Sequence, residues 1–156
     1  MARAVSSGVG SVGYRADVDA RVELQAEIDA PREVVFALVS TGDGLSRWLD
    51  AASIEARPGG AVRLRLLDAE VAGKVVALDA PQHVSFTWDY PGEPLASPSV
   101  VAFDAISHGR RTHLTLRHVG LVGGRSRDDH EALWRFWFPR LVEAAHASRS
   151  LAAPAS

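Results

Sequence analysis

Residues 126–149, SRDDHEALWRFWFPRLVEAAHASR, constrain the fold more than any other stretch of the chain. Leu133, Trp137, Leu141 and Ala145 recur at i, i+4, with Trp134, Phe138 and Val142 on the adjoining row. Such a face is too wide to be a narrow coiled-coil seam and has to be covered. Four of the five residues 134–138 are aromatic, and burying each contributes roughly 2–3 kcal/mol. Ser126 and Asp129 have the spacing of an N-terminal capping box. Asp128, Asp129 and Glu131 also place negative charge at the positive end of the helix dipole. Pro139 stands mid-helix, cannot donate to the carbonyl of Arg135, and predicts a kink there. The expectation is a long, bent, aromatic-rich helix lying across something concave.

The residues upstream supply that surface. From residue 20, Val22, Leu24, Ala26 and Ile28 alternate with Arg21, Glu23, Gln25, Glu27 and Asp29, a strand with one buried face. Asp29-Ala30-Pro31 ends it, and Pro31 at the first helical position after an Ala30 N-cap starts a helix to about residue 40. Val34, Val35 and Leu38 form its apolar face. Thr41-Gly42-Asp43-Gly44 breaks it, and residues 45–49 read as a second short helix carrying Trp48. Strand patterns follow at 54–56, 62–66, 70–78, 83–88, 99–106 and 112–119. Pro58-Gly59-Gly60, Asp79-Ala80-Pro81, the loop from Tyr90 to Pro94 and Ser107-His108-Gly109-Arg110 punctuate them. Consecutive strands joined by short turns imply antiparallel pairing, hence an α+β fold with the long helix against one face of the sheet. At 156 residues the chain is one domain by size. Residues 20–149 form that domain, between tails at 1–19 and 150–156.

Certain function classes are disfavoured. Seventeen basic and nineteen acidic side chains leave a net charge of −2, so no field favours nucleic acid or an anionic membrane. There is no cysteine, which excludes disulfides, thiolate metal sites and cysteine catalysis. No apolar run approaches the ~20 residues of a membrane span. The first 20 residues lack the apolar core of a signal peptide, so the expected location is the cytoplasm.

Pro31-Arg32-Glu33-Val34-Val35-Phe36 after a strand resembles the first helix of the START-like, helix-grip (Bet v-like) superfamily, also called SRPBCC. Trp48, Arg57-Pro58-Gly59-Gly60, Gly73-Lys74-Val75, Asp79-Ala80-Pro81 and Phe86-Thr87-Trp88 follow the spacing of one branch, named after the activator of the heat-shock protein 90 ATPase. The segment from Leu114 to Leu121 and the proline-containing last helix complete the likeness, which covers about residues 20–148. The resemblance implies a curved antiparallel sheet of six to seven strands gripping the C-terminal helix, with a cavity between them.

The candidate site is the surface that faces this cavity: Trp48, Leu64, Phe86, Trp88, Phe103, Leu116, His118, Trp134, Trp137 and Phe138. Pockets are mostly apolar with few polar groups, and the alternative is that these rings fill a solid core. His118 shares a strand face with Leu114 and Leu116. It is either a ligand-contacting or acid–base imidazole, or a core histidine hydrogen-bonded to backbone. His113 and His118 are an odd number apart on one strand, so they face opposite ways and cannot chelate together. No metal or cofactor is assigned. No serine elbow or phosphate loop is present, and Arg63, Arg65, Arg110 and Arg111 read as solvated. The function expected is non-catalytic binding of a hydrophobic small molecule. The alternatives are a polyketide cyclase/dehydratase-like enzyme using the same cavity, or a protein-interaction module, co-chaperone-like or a homodimer.

Overall fold

Alternation of apolar and polar residues sets the sheet, and the computed structural model follows it closely. It describes residues 21–92, 98–122 and 124–152, the side chains of 124, 125 and 149–152 excepted. In chain order the elements are β1 (Arg21–Ile28), α1 (Arg32–Ser40), α2 (Gly42–Leu45), β2 (Ala51–Ile54), β3 (Ala61–Leu66) and β4 (Ala69–Asp79). Then come β5 (His83–Trp88), β6 (Ser99–His108), β7 (Arg111–Val119) and α3 (Gly124–Ala152). One curved seven-stranded sheet in the order β1-β7-β6-β5-β4-β3-β2 results, antiparallel throughout. β1 and β7 pair in continuous register from Arg21 opposite Val119 to Ile28 opposite Thr112. That register turns Val22 and Ile28 inward beside Leu114, Leu116 and His118, all buried.

Helix α3 covers the inward face. Trp134, Trp137, Phe138, Leu141 and Ala145 are buried, while Leu133 and Val142 pack at the margin. The helix continues through Pro139. Its start differs from the expectation. It begins at Gly124, so Ser126 stands inside the first turn instead of at the cap, and no Ser126–Asp129 box opens the helix. The acidic residues there are engaged by Arg127, which pairs with Asp128 and Glu131 and donates to the Arg21 carbonyl. The helix also runs past residue 149, to Ala152. The expectations for residues 1–19 and 153–156 lie outside the described residues.

The short helices also differ in detail. Pro31 is the N-cap of α1, so the helix starts at Arg32, one residue later than expected, and Phe36 and Val39 join Val35 and Leu38 on the buried face. The Thr41–Gly44 stretch, expected to be a break, instead supplies the N-cap and most of α2. Thr41 Oγ1 accepts from the Gly44 amide at 2.9 Å, a helix cap. Gly44 is needed because a Cβ there would overlap the carbonyl of Ala37. Trp48 therefore sits in the turn after α2, where its Nε1–H donates to the Leu38 carbonyl at 2.8 Å. The strand expected at 54–56 lies at β2, four residues that pair with β3. The chain leaves that ladder at Glu55, whose carboxylate accepts from the Ala61 amide across the Pro58-Gly59-Gly60 turn.

Candidate functional site

All ten residues named from the sequence are buried, but the fold does not gather all of them. Trp134 is the hub. Its ring centroid lies 5.2 Å from Trp88, 6.2 Å from Phe103, 6.4 Å from Trp48 and 6.2 Å from His118. Phe86 extends the group through Phe103 at 6.4 Å, and Leu116 stands opposite Phe103 in the ladder. Trp137 and Phe138 are buried farther along α3; among the described residues the ring contact of Trp137 is with Phe136. Leu64 belongs to the same core but also borders a groove of about 290 Å³ between β2, β3 and β4. A second groove, of about 530 Å³, runs between α1, α2 and Ser148 of α3. Neither groove is lined by the aromatic group.

His118 is wholly buried at one end of the ring cluster. Trp134 Nε1 is a donor only and donates to His118 Nδ1 at 3.0 Å. In the neutral ring the proton is then on Nε2, which faces Ser99 Oγ at 2.7 Å. Ser99 passes its own hydroxyl proton to the Trp88 carbonyl at 3.2 Å. Burial, and secondarily the nearby His130, depress the His118 pKa from 6.5 to about 3. So the imidazole is neutral and both nitrogens are committed. Its partners are side chains, where the core reading expected backbone.

A second chain interlocks with the first. Trp88 Nε1 donates to the Tyr90 hydroxyl oxygen at 3.0 Å. His130 Nδ1 donates to the Ser126 carbonyl at 2.7 Å, which leaves Nε2 of the neutral ring to accept the Tyr90 hydroxyl at 2.7 Å. The His118 and His130 rings meet edge to face at 4.9 Å. Tyr90 is the half-buried member, and burial raises its pKa above the usual phenol value. The sequence reading passed over Tyr90, His130 and Ser99, although each carried a signal. Tyr90 continues the inward parity of Phe86 and Trp88, Ser99 that of Val101 and Phe103, and His130 precedes Trp134 by one helical turn.

Chemically, this end of the interior sets polar groups among packed rings, and His118 has no lone pair free to take a proton from a substrate. Among the described residues, no helix is long and apolar enough to cross a membrane.

Comparison with known proteins matches this architecture. No curated protein matches the chain. A solved protein from Mesorhizobium loti superimposes with a TM-score of 0.73 at 19% identity, over 81% of this chain and 97% of that one. DynU16, from the dynemicin biosynthetic locus, gives 0.70 at 17% identity over 83% and 48% of the two chains. The Aha1 dimer from Colwellia psychrerythraea gives 0.66 at 20% identity over 80% and 95%. At such identities these likenesses speak for the helix-grip fold alone. The family model is more specific: residues 29–146, from the end of β1 to the last turns of α3, match the one described as Activator of Hsp90 ATPase homolog 1-like protein, and the chain belongs to that family.

Proposed function

We propose that the protein is a cytoplasmic, non-catalytic carrier or receptor for a hydrophobic small molecule held between the sheet and α3. Its residues 20–149 act as one binding domain. Trp48, Phe86, Trp88, Phe103, Leu116, His118 and Trp134 line the ligand's apolar body, with Leu64, Trp137 and Phe138 at the margins. Tyr90, half-buried, offers the second lone pair of its hydroxyl to a polar group of the ligand. The observation that carries this reading is the pair of interlocked hydrogen-bond chains among the rings. Replacing both partners of a buried hydrogen bond by apolar groups of the same shape can be nearly neutral, so a core that only needed filling would be served by leucine. A few placed polar groups in an apolar lining are what fix a ligand's orientation.

Native mass spectrometry against a panel of lipids, sterols and polyketides tests it. Retention of one class, weakened about fivefold or more by Tyr90→Phe with the fold intact, is the expected result, since the loss of one hydrogen bond is worth about 1 kcal/mol. A panel with no retained member, and no shift of the Trp88 or Trp134 indole N–H resonances on addition, would refute it.

The family match and the dimeric state of the Colwellia protein favour a second reading, a protein-docking module working as a homodimer or on a chaperone. Light scattering showing a monomer, with no chaperone retained in a pull-down, disposes of it. A cyclase-like reaction is disfavoured by the engaged nitrogens of His118.

A further inference from the structure

The outer face of the sheet carries a cluster with no part in the ligand-binding reading. Glu27 of β1 stands directly opposite His113 of β7, and His113 stands opposite Ile106 of β6. His108, two residues beyond Ile106, is therefore the diagonal neighbour of His113 across the hairpin, within reach of a long side chain. The hairpin closes through Gly109, whose φ of 63° suits a residue without a Cβ. The two imidazoles stack with centroids 5.6 Å apart and planes 29° from parallel. Both Nδ1 atoms point at one oxygen, Glu27 Oε2, from 3.2 Å for His108 and 2.6 Å for His113. One nitrogen from each ring and a carboxylate oxygen all lie within 4.8 Å of one another.

The hydrogen positions follow from the neighbours. Gln25 Nε2 donates to Glu23 at 2.9 Å, so Gln25 presents its oxygen to His113 Nε2 at 3.0 Å. That nitrogen must carry a proton. In neutral His113, Nδ1 then holds a lone pair aimed at a carboxylate oxygen. Two imidazole nitrogens and an anionic oxygen thus converge on one point, which a cation between them would satisfy. Without an ion both contacts need Nδ1–H donors, which His108 supplies as its neutral Nδ1–H tautomer and His113 only by taking a second proton.

We propose that Glu27, His108 and His113 bind a divalent transition-metal ion of the zinc class on the outer face of the sheet, clipping β1 to the β6–β7 hairpin. Bonds of about 2.0–2.1 Å in a tetrahedral site separate neighbouring ligand atoms by about 3.3 Å. The His108–Glu27 pair already has this spacing at 3.2 Å. His113 has to withdraw by about 0.7 Å, a small torsional adjustment for half-exposed side chains. The Gln25 oxygen on His113 Nε2 is the outer partner that a metal-bound histidine usually has. Two imidazoles and one carboxylate, with water in the fourth position, suit Zn²⁺, and Ni²⁺ and Cu²⁺ would take the same atoms. Parity along one strand rightly separates His113 from His118. It has no bearing on a partner reached across the turn.

The test uses tag-free full-length protein stripped with a chelator. Calorimetric titration with Zn²⁺ should show one ion per chain with micromolar affinity, and Co²⁺ should give the visible bands of a four- or five-coordinate ion. His108→Ala and Glu27→Gln should each weaken binding tenfold or more while the far-UV circular dichroism stays unchanged. Gln25→Ala should weaken it less, and His83→Ala, whose imidazole lies elsewhere beside Asp104, should leave it unaltered. Absence of stoichiometric binding at a hundred micromolar Zn²⁺, or equal binding by wild type, His108→Ala and Glu27→Gln, overturns the proposal.

Discussion

Acidification is the perturbation that most directly probes the polar end of the core, because His118 is held neutral there. Its pKa in the folded protein is about 3 against 6.5 for the free side chain, and burial is the principal cause. A lowered histidine pKa means that below 6.5 the unfolded chain binds a proton that the folded one refuses. Stability is therefore undiminished above 6.5 and is lost progressively as the pH falls from 6.5 toward 3. At about 1.4 kcal/mol for each pH unit between the two values, the loss reaches about 5 kcal/mol once the folded form also protonates. Between about pH 7 and about pH 5 it amounts to about 2 kcal/mol, a large part of a domain's 5–15 kcal/mol.

Urea unfolding of wild type and His118→Leu at both pH values isolates this contribution. The variant should be less stable near pH 7, by about 1–3 kcal/mol, because the Trp134 indole N–H and the Ser99 hydroxyl lose a buried partner. Its loss on going to pH 5 should be smaller than that of wild type by about 2 kcal/mol. Contributions from groups that do not interact with position 118 cancel in the difference. Equal losses in the two proteins, or a His118 ring proton whose NMR shift titrates with a midpoint near 6.5, would refute the claim that this imidazole is held neutral.

Two substitutions probe the frame that carries the site. Gly44→Ala forces a methyl group into the Ala37 backbone carbonyl, so thermal unfolding should show a destabilisation of about 1–3 kcal/mol, as for an overpacked core. Trp48→Phe keeps an aromatic ring beside Phe103 and Trp134 but deprives the Leu38 carbonyl of its donor. Chemical denaturation should register a loss of about 2–4 kcal/mol from the missing hydrogen bond and the vacated ring volume together.

Strand faces were legible in the sequence because parity is a strict, local signal. Val62, Leu64 and Leu66 are inward and Arg63 and Arg65 outward, as the alternation requires. Helix ends were legible less well. Ser126 and Asp129 have capping-box spacing, yet the helix begins at Gly124, where the competing arrangement lets Arg127 bind Asp128, Glu131 and the Arg21 carbonyl. Thr41-Gly42-Asp43-Gly44 has the composition of a break, but one side-chain cap and one close backbone approach make it a helix. For the site, the rings were identifiable as inward-facing. Their grouping about Trp134 was not, because it depends on where α3 crosses the sheet. Nor does spacing along the chain reveal which partner each ring nitrogen finds.

The two histidine environments on β7 are consequences of one register. His113 and His118 are five positions apart, so alternation must send one outward and the other inward. Pairing with β1 then puts Glu27 opposite His113 and apolar Val22 opposite His118. A slip of β7 by one residue would push His113 and Arg117 toward the aromatic core and bring His118 and Leu116 to the surface, so the buried face enforces the register. The outer cluster inherits its geometry from that enforcement, since nothing on the exposed face is strong enough to set it alone. An ion bound by Glu27, His108 and His113 would recognise only the correctly paired strands. At a hundredfold excess over its dissociation constant it would add about 2.7 kcal/mol to stability by mass action. The aromatic interior thus sets the strand pairing, and a metal on the opposite face would hold it in place.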